Sequence, residues 1–260
     1  MISVNRGKLT LFLTLLISGL YFTIPLASAA VFSLRQPLKG NYGFDNYIWF
    51  FQAPDFGHYL LVSLGLALGA SAIMLVLLVP TVIWLNLGGR RLRPVVEFLS
   101  LLPLVIPVVA LAIGAQNSLP EFAQTNEGVL AFMYAVLAMP YSYRTLDIGL
   151  RAVPLQTISE AARGLGANWF KTIFQVLTPI VRNTVLGSLF MTLALSLGEF
   201  TLTSLLHWDT FPTWVTQLSQ SNILGAIALS VFSLVAVFVI LVLVGLMVKP
   251  TPSQTITEEN

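Results

Sequence analysis

The amino-acid sequence predicts an all-α membrane protein: six transmembrane helices, further helices on the cytoplasmic side, and both termini in the cytoplasm. Two observations carry this. The 260-residue chain is 56% hydrophobic and only 9% charged, against about 25% charged residues in a soluble domain. Its basic residues also cluster in alternate connections between apolar stretches. With a mean hydropathy of +0.84, a soluble globular fold is excluded. The absence of cysteine removes disulfides, thiolate metal sites and cysteine nucleophiles.

A helix needs about 20 mostly apolar residues to cross a bilayer. The first such stretch is 9–32, preceded by Arg6 and Lys8, which place the N-terminus inside. Ala27-Ser28-Ala29 also resembles a signal-peptidase site, but the apolar run is long for a signal and Pro25 lies late in it. An uncleaved span is expected. The loop after it carries Tyr42, Phe44, Tyr47, Trp49 and Phe50, suited to the membrane interface or to an external partner. The second span, 59–87, is rich in small residues such as Ser63, Gly65, Gly69 and Ser71, which let helices approach closely. Arg90, Arg91 and Arg93 follow it and belong inside. The third span, 95–115, contains Pro103 and Pro107, and proline kinks a helix.

The stretch 129–142 is short for a crossing, and charge decides its status. Only if it crosses do Arg144, Arg151, Arg163, Lys171 and Arg182 lie inside. All 13 Lys and Arg except Arg35 and Lys39 then lie inside. The fifth and sixth spans are 185–206 and 223–248. The organisation expected is an N-terminal helix and external loop (1–57), a membrane domain (58–248) and a cytoplasmic tail (249–260). His207 and Asp209 are too few for a metal site, and no metal or cofactor is expected.

The cytoplasmic loop 144–182 reads as two helices. Pro154 suits the first turn of the first, and Thr157 with Glu160 has capping-box spacing. Gly164 and Gly166 end it. Trp169, Phe170, Ile173, Phe174 and Leu177 form an apolar face on the second, which Thr178-Pro179 is expected to break before the fifth span.

Glu160-Ala161-Ala162, three residues, Gly166, nine residues and Val176-Leu177-Thr178-Pro179 together resemble the EAA signature of permease subunits in binding-protein-dependent ABC importers. This chain has Val176 and Thr178 where that pattern has isoleucine and leucine. The resemblance covers about residues 58–248. It implies the MetI-like ABC permease fold and a coupling loop that docks on an ATPase subunit through Glu160, Ala161, Ala162, Arg163, Gly164, Gly166 and Ala167. Pro154, Thr157, Trp169 and Pro179 would shape that loop. The partners implied are a second permease, expected to be a different chain, two ATPase copies, an external substrate-binding protein and the lipid bilayer. Nucleic acid is not among them. The location implied is the bacterial cytoplasmic membrane. In overall pattern the chain looks most like spermidine/putrescine-type permeases, which implies a small polar solute such as a polyamine. Gly198-Glu199-Phe200 looks like the same tripeptide in permeases of polyamine, iron, molybdate and phosphonate importers, and permeases for iron, molybdate/sulfate or phosphonate-type substrates are the alternative.

The chain itself is not expected to be an enzyme, and no catalytic residue is assigned. A phosphate-binding loop needs Gly, four residues, then Gly-Lys-Ser/Thr; Gly7-Lys8-Leu9 does not supply it. ATP hydrolysis would come from the partner. A self-contained carrier or channel would need coupling-ion residues in several spans, and Glu199 is the one clear buried charge in the sequence pattern. An acid within a span is a functional hypothesis by default. Glu199, with Phe200, Ser196, Pro103 and Pro107, is expected to border a substrate path; an interhelical contact is the alternative.

Overall fold

A computed structural model describes residues 6–36 and 40–247. Lys39 and the tail 249–260 lie outside the described residues. The chain divides into two compact units, 1–54 with 215–260, and 55–214.

In the first unit, α1 (Arg6–Ser33) leads into a two-stranded ribbon, β1 (Arg35–Gln36) antiparallel to β2 (Asn41–Tyr42), and then α2 (Asp45–Phe51). The end of α1 is pinned. Ser33 Oγ lies 2.8 Å from the Tyr47 hydroxyl, and Asn46 Nδ2 donates to the Ser33 carbonyl at 2.8 Å. The helix α13 (Ile223–Met247) packs against both α1 and α2. Phe50 is fully buried, in ring contact with Phe51 and Phe232. The loop expected to lie at the membrane interface thus contains a short packed helix. Tyr42 and Phe44 stay exposed, whereas Phe50 serves the interior.

The second unit is built on three mutually packed helices: α3 (Phe56–Leu87), α7 (Val129–Arg151) and α10 (Thr178–Leu197). Buried Leu66, Ala70, Met74, Leu78 and Val82 recur every fourth residue along α3, so they form one stripe on a 3.6-residue helix. The seam between α7 and α10 uses polar and small residues. Ser142 Oγ meets Thr192 Oγ1 at 2.7 Å, and a Cβ on Gly149 would collide with Thr184. Between apolar helices in lipid, such close approach and hydrogen bonding supply the attraction that hydrophobic burial cannot.

The expected third span is broken. α4 (Arg93–Val105) and α5 (Val108–Ser118) meet at 97°. Proline disfavours the helical conformation of the residue before it. Ile106 is accordingly extended (φ −83°, ψ 120°), and Pro107 starts the next helix. A short helix, α6 (Glu121–Gln124), precedes α7.

The loop expected on the cytoplasmic side also differs from expectation. α7 continues past Arg144 to Arg151, so the connector is shorter than 144–182. After α8 (Leu155–Gly164), the chain is helical from α9 (Trp169–Lys171) through a π-helical stretch (Thr172–Leu177) into α10. Pro179 therefore does not break the helix. It lacks an N–H and would clash with the carbonyl one turn back; the wider π turn just before it relieves that conflict. Thr178 Oγ1 donates to the Ile173 carbonyl at 2.7 Å, which also accepts the Thr178 N–H across the π turn.

After a step at residues 198–200 come α11 (Thr201–Leu205) and α12 (Phe211–Ser221). By length and composition, three stretches among the described residues can cross a membrane: Lys8–Ser33, Phe56–Leu87 and Trp169–Leu205. The bent α4–α5 pair makes up to four.

Candidate functional site

The connector between α7 and α10 is a helical hairpin. In α8, Leu155 and Ser159 are buried, and Ile158 and Ala162 are half-buried. This three- and four-residue spacing fixes one face on the protein. The opposite face shows Glu160, Ala161, Arg163 and Gly164 to the outside. Gly166 then turns the chain with φ +88°, a conformation costly to any residue with a Cβ. Its N–H donates to the Arg163 carbonyl at 2.9 Å, and the Ala167 N–H to the Ala162 carbonyl at 3.1 Å. These two bonds are a Schellman cap, which satisfies the carbonyls left over at the end of α8. Asn168 restarts the helix, its Oδ1 accepting the Lys171 N–H at 2.8 Å. The Arg163 guanidinium lies 4.8 Å from the Trp169 ring centre and closes the hairpin. At the apex, Leu165 is 91% exposed.

Two expectations about this hairpin are corrected. Pro154 occupies the N-cap position just before α8 instead of its first turn. Thr157 lies inside the helix, and no side chain caps its start, so Thr157 and Glu160 form no capping box. With Pro154 as the cap, the third helical position is Thr157, and Glu160 lies a turn too far along to reach back to the cap. Glu160 is left exposed, with no hydrogen-bond or ion-pair partner among the described residues. Leu165 was missed by sequence reasoning. The signal available was an apolar residue between two glycines at the end of a polar helix.

The base of the hairpin is tied by charge. Asp147, only 2% exposed, receives Arg93 of α4 on one carboxylate oxygen and Arg151 on the other, the latter at 2.6 Å. Arg93 also donates to Asn86 Oδ1 of α3 at 3.3 Å. One carboxylate thereby joins α3, α4 and α7 immediately before the hairpin. A half-exposed pair, Arg144 with Glu97 at 3.2 Å, adds a second link between α4 and α7.

Four of the expected path residues meet in one place. Pro103, Pro107, Ser196 and Glu199 line a cavity of about 340 Å³, together with Tyr134 and Tyr141. Phe200 does not line it and is partly exposed. Glu199 is not a charge in mid-helix. It sits in the interruption between α10 and α11, where its Oε1 accepts the Leu202 N–H at 2.7 Å. The broken helix thus gives the carboxylate a backbone donor. Ser196 is buried, and its Oγ has no partner among the described residues. The cavity offers a carboxylate, a serine hydroxyl and two tyrosine side chains to a polar solute, with no cation in its lining.

Residues 79–249 match the model of a family described as binding-protein-dependent transport system inner membrane component. The chain is 30% identical over 156 residues to a protein of Haloferax volcanii named as a molybdenum ABC transporter permease; the match covers 54% of this chain and 57% of that one. It is 28% identical over 129 residues to a ferric transport system permease protein of Haemophilus influenzae, covering 43% of this chain and 20% of that one. These two matches span less than two thirds of either relative. A third, to a 2-aminoethylphosphonate transport system permease protein of Salmonella typhimurium, is 24% identical over 234 residues and covers 86% of this chain and 87% of that one.

Proposed function

The chain belongs to the binding-protein-dependent transport system inner membrane components, and from that premise we propose that it is a permease subunit whose α8 hairpin receives the stroke of an ATPase. It is a multi-pass membrane protein of the ABC importer type. In this reading it crosses the bacterial inner membrane six times, with the α8 hairpin and both termini inside. A second permease chain, two ATPase copies and an external binding protein complete the transporter. ATP is hydrolysed by the partner, since the chain carries no phosphate-binding loop.

One observation carries the coupling role. The hairpin presents Glu160, Ala161 and the nearly bare Leu165 outward, on a helix held by Leu155 and Ser159 beneath and by the Gly166 cap at its end. In this reading Leu165, standing out beside exposed Glu160, Ala161 and Arg163 on a capped turn, is the contact offered to the ATPase. Leu165→Asp is therefore expected to abolish copurification of the ATPase and to lower uptake at least tenfold, with membrane abundance unchanged, because the side chain touches little of its own chain. Undiminished copurification from Leu165→Asp membranes would reject the docking role.

The substrate is a small polar solute passing the cavity of Ser196 and Glu199. The polyamine expectation draws no support from the relatives named above, whose names specify molybdenum, ferric and 2-aminoethylphosphonate transport. The substrate is accordingly sought first among those classes. Glu199→Gln keeps an oxygen for the Leu202 N–H and removes the charge. It should leave the protein folded and alter the uptake rate or half-saturation by about tenfold, the scale of one charge-assisted hydrogen bond. Uptake unchanged in both rate and affinity would take Glu199 off the path.

A further inference from the structure

A second pocket of the 55–214 unit lies at the opposite end from the α8 hairpin. α7 has 23 residues, Val129 to Arg151, and is about 34 Å long. The hairpin follows its last residue, whereas the pocket, of about 310 Å³, lies at its first turn. Gln116 and Leu119 at the end of α5, Gln124 of α6, Met133 of α7, and Leu206 and Trp208 after α11 line it. It shares no lining residue with the cavity of Ser196 and Glu199. Two of its polar groups are fixed as acceptors. Gln124 donates from Nε2 to the Gln116 carbonyl at 3.0 Å and to the Leu119 carbonyl at 2.6 Å. Gln116 donates from Nε2 to the Leu205 carbonyl at 3.0 Å. A carbonyl accepts only from an N–H, so these bonds settle which end of each amide is nitrogen. Both Oε1 atoms are left without a donor among the described residues. We propose that this pocket receives a lysine or arginine side chain of the external binding protein, an inference that rests on the importer reading above.

The surroundings favour a cation as well. The pocket sits at the C-terminal turn of α5, the negative end of a helix dipole. Trp208 adds an aromatic ring, which attracts cations. No Lys or Arg occurs in 94–143 or 183–248, the segments that build the pocket. Glu121, Glu127 and Asp209 are exposed within two residues of lining positions, where their charge steers a basic partner. An anion would meet acids and amide oxygens there. An apolar side chain would bury both Oε1 atoms unanswered, at a cost a guanidinium or ammonium group avoids. The volume is at the small end of ligand pockets, about 300–1,000 Å³, and suits one extended side chain. The occupant belongs to a docking protein because the pocket is separate from the transport cavity and lies at the end facing outward when the hairpin faces the ATPase.

The test measures the kinetics with which the transporter's external binding protein binds the assembled transporter in nanodiscs, at several salt concentrations. Gln124→Lys keeps N–H groups for the Gln116 and Leu119 carbonyls and places a resident cation in the pocket. It should raise Kd about tenfold, mostly through faster dissociation, the scale of one hydrogen bond to a charged group. Glu121→Gln/Glu127→Gln alters exposed residues alone; it should slow association and flatten its dependence on salt, with dissociation unchanged. Lysines and arginines of the binding protein are then replaced by alanine one at a time. One of them should weaken binding as much as Gln124→Lys does and add nothing to it, because groups in contact are not additive. Unchanged affinity of the Gln124→Lys transporter overturns the proposal, as does a loss that adds to that of every basic residue replaced. Unchanged affinity with a raised half-saturation for uptake also overturns it, in favour of a free cationic solute in the pocket. If the wild-type transporter does not bind the external protein at all, the importer reading falls and takes this proposal with it.

Discussion

Replacing Gly166 with proline is expected to abolish ATP-driven uptake while leaving the chain in the membrane. Gly166 has φ +88°, and proline is held near −65°. The substitution also removes the N–H that donates to the Arg163 carbonyl. The Schellman cap cannot form, and α8 loses the turn that aims Leu165 outward and brings Trp169 back beneath Arg163. The damage is local. Gly166 is exposed, and a Cβ there would meet open space, so the cost is conformational and the α3–α7–α10 packing is untouched. Gly166→Ala separates the two effects. It keeps the N–H and meets no clash, and pays only the left-handed penalty of about 1–2 kcal/mol. Uptake should then fall partially, with proline far below alanine and glycine highest. Any ATPase that still copurifies with the proline variant should hydrolyse ATP without substrate-dependent stimulation, since the ATPase carries its own active site. If Gly166→Pro supports uptake within about twofold of wild type, the hairpin is not the coupling element.

The same hairpin shows how far the sequence alone reaches. Gly166 as the turn was legible, because only glycine tolerates that backbone cheaply and the residues around it change from polar helix to apolar helix. Long apolar stretches were legible for a similar reason: the second span, expected at 59–87, is observed as Phe56–Leu87. Local rules failed where two of them competed. Pro179 ends a helix by propensity, yet a π turn absorbs it here, and no residue pattern specifies that outcome. Pro103 and Pro107 announced a disturbance but not a bend of 97°, because the angle is set by what each half packs against. Glu199 looked like a charge in mid-span because the interruption at residues 198–200 has no proline to mark it.

The largest omission was Asp147, and the largest stability effect is expected there. In the sequence it is one acid among five basic residues of a supposedly solvated loop. In the fold it is 2% exposed and receives Arg93 from 54 residues away, a pairing that no local pattern encodes. Arg93 is itself largely enclosed, with 20% of its side chain exposed. Removing the anion leaves that guanidinium with little but Asn86, and breaking a buried pair from one side costs about 3–5 kcal/mol. Arg151 is half exposed and can turn to water, so it adds little. Asp147→Ala should therefore lie near 3 kcal/mol, enough to lower both membrane abundance and the unfolding temperature in detergent. Asp147→Asn keeps the shape and some hydrogen bonds and should fall between. The decisive comparison is Arg93→Met/Asp147→Leu. If the cost is an uncompensated charge, the double variant should be more stable than Asp147→Leu alone, because replacing both partners with apolar groups removes the desolvation penalty. If the two substitutions simply add, the network is not what joins α3, α4 and α7. Uptake in the double variant then carries a separate message. A stable double variant that fails to transport would mean that the ion pair does more than hold these helices together, and that the hairpin depends on it to pass movement from the ATPase to the broken α4–α5 helix beside the cavity.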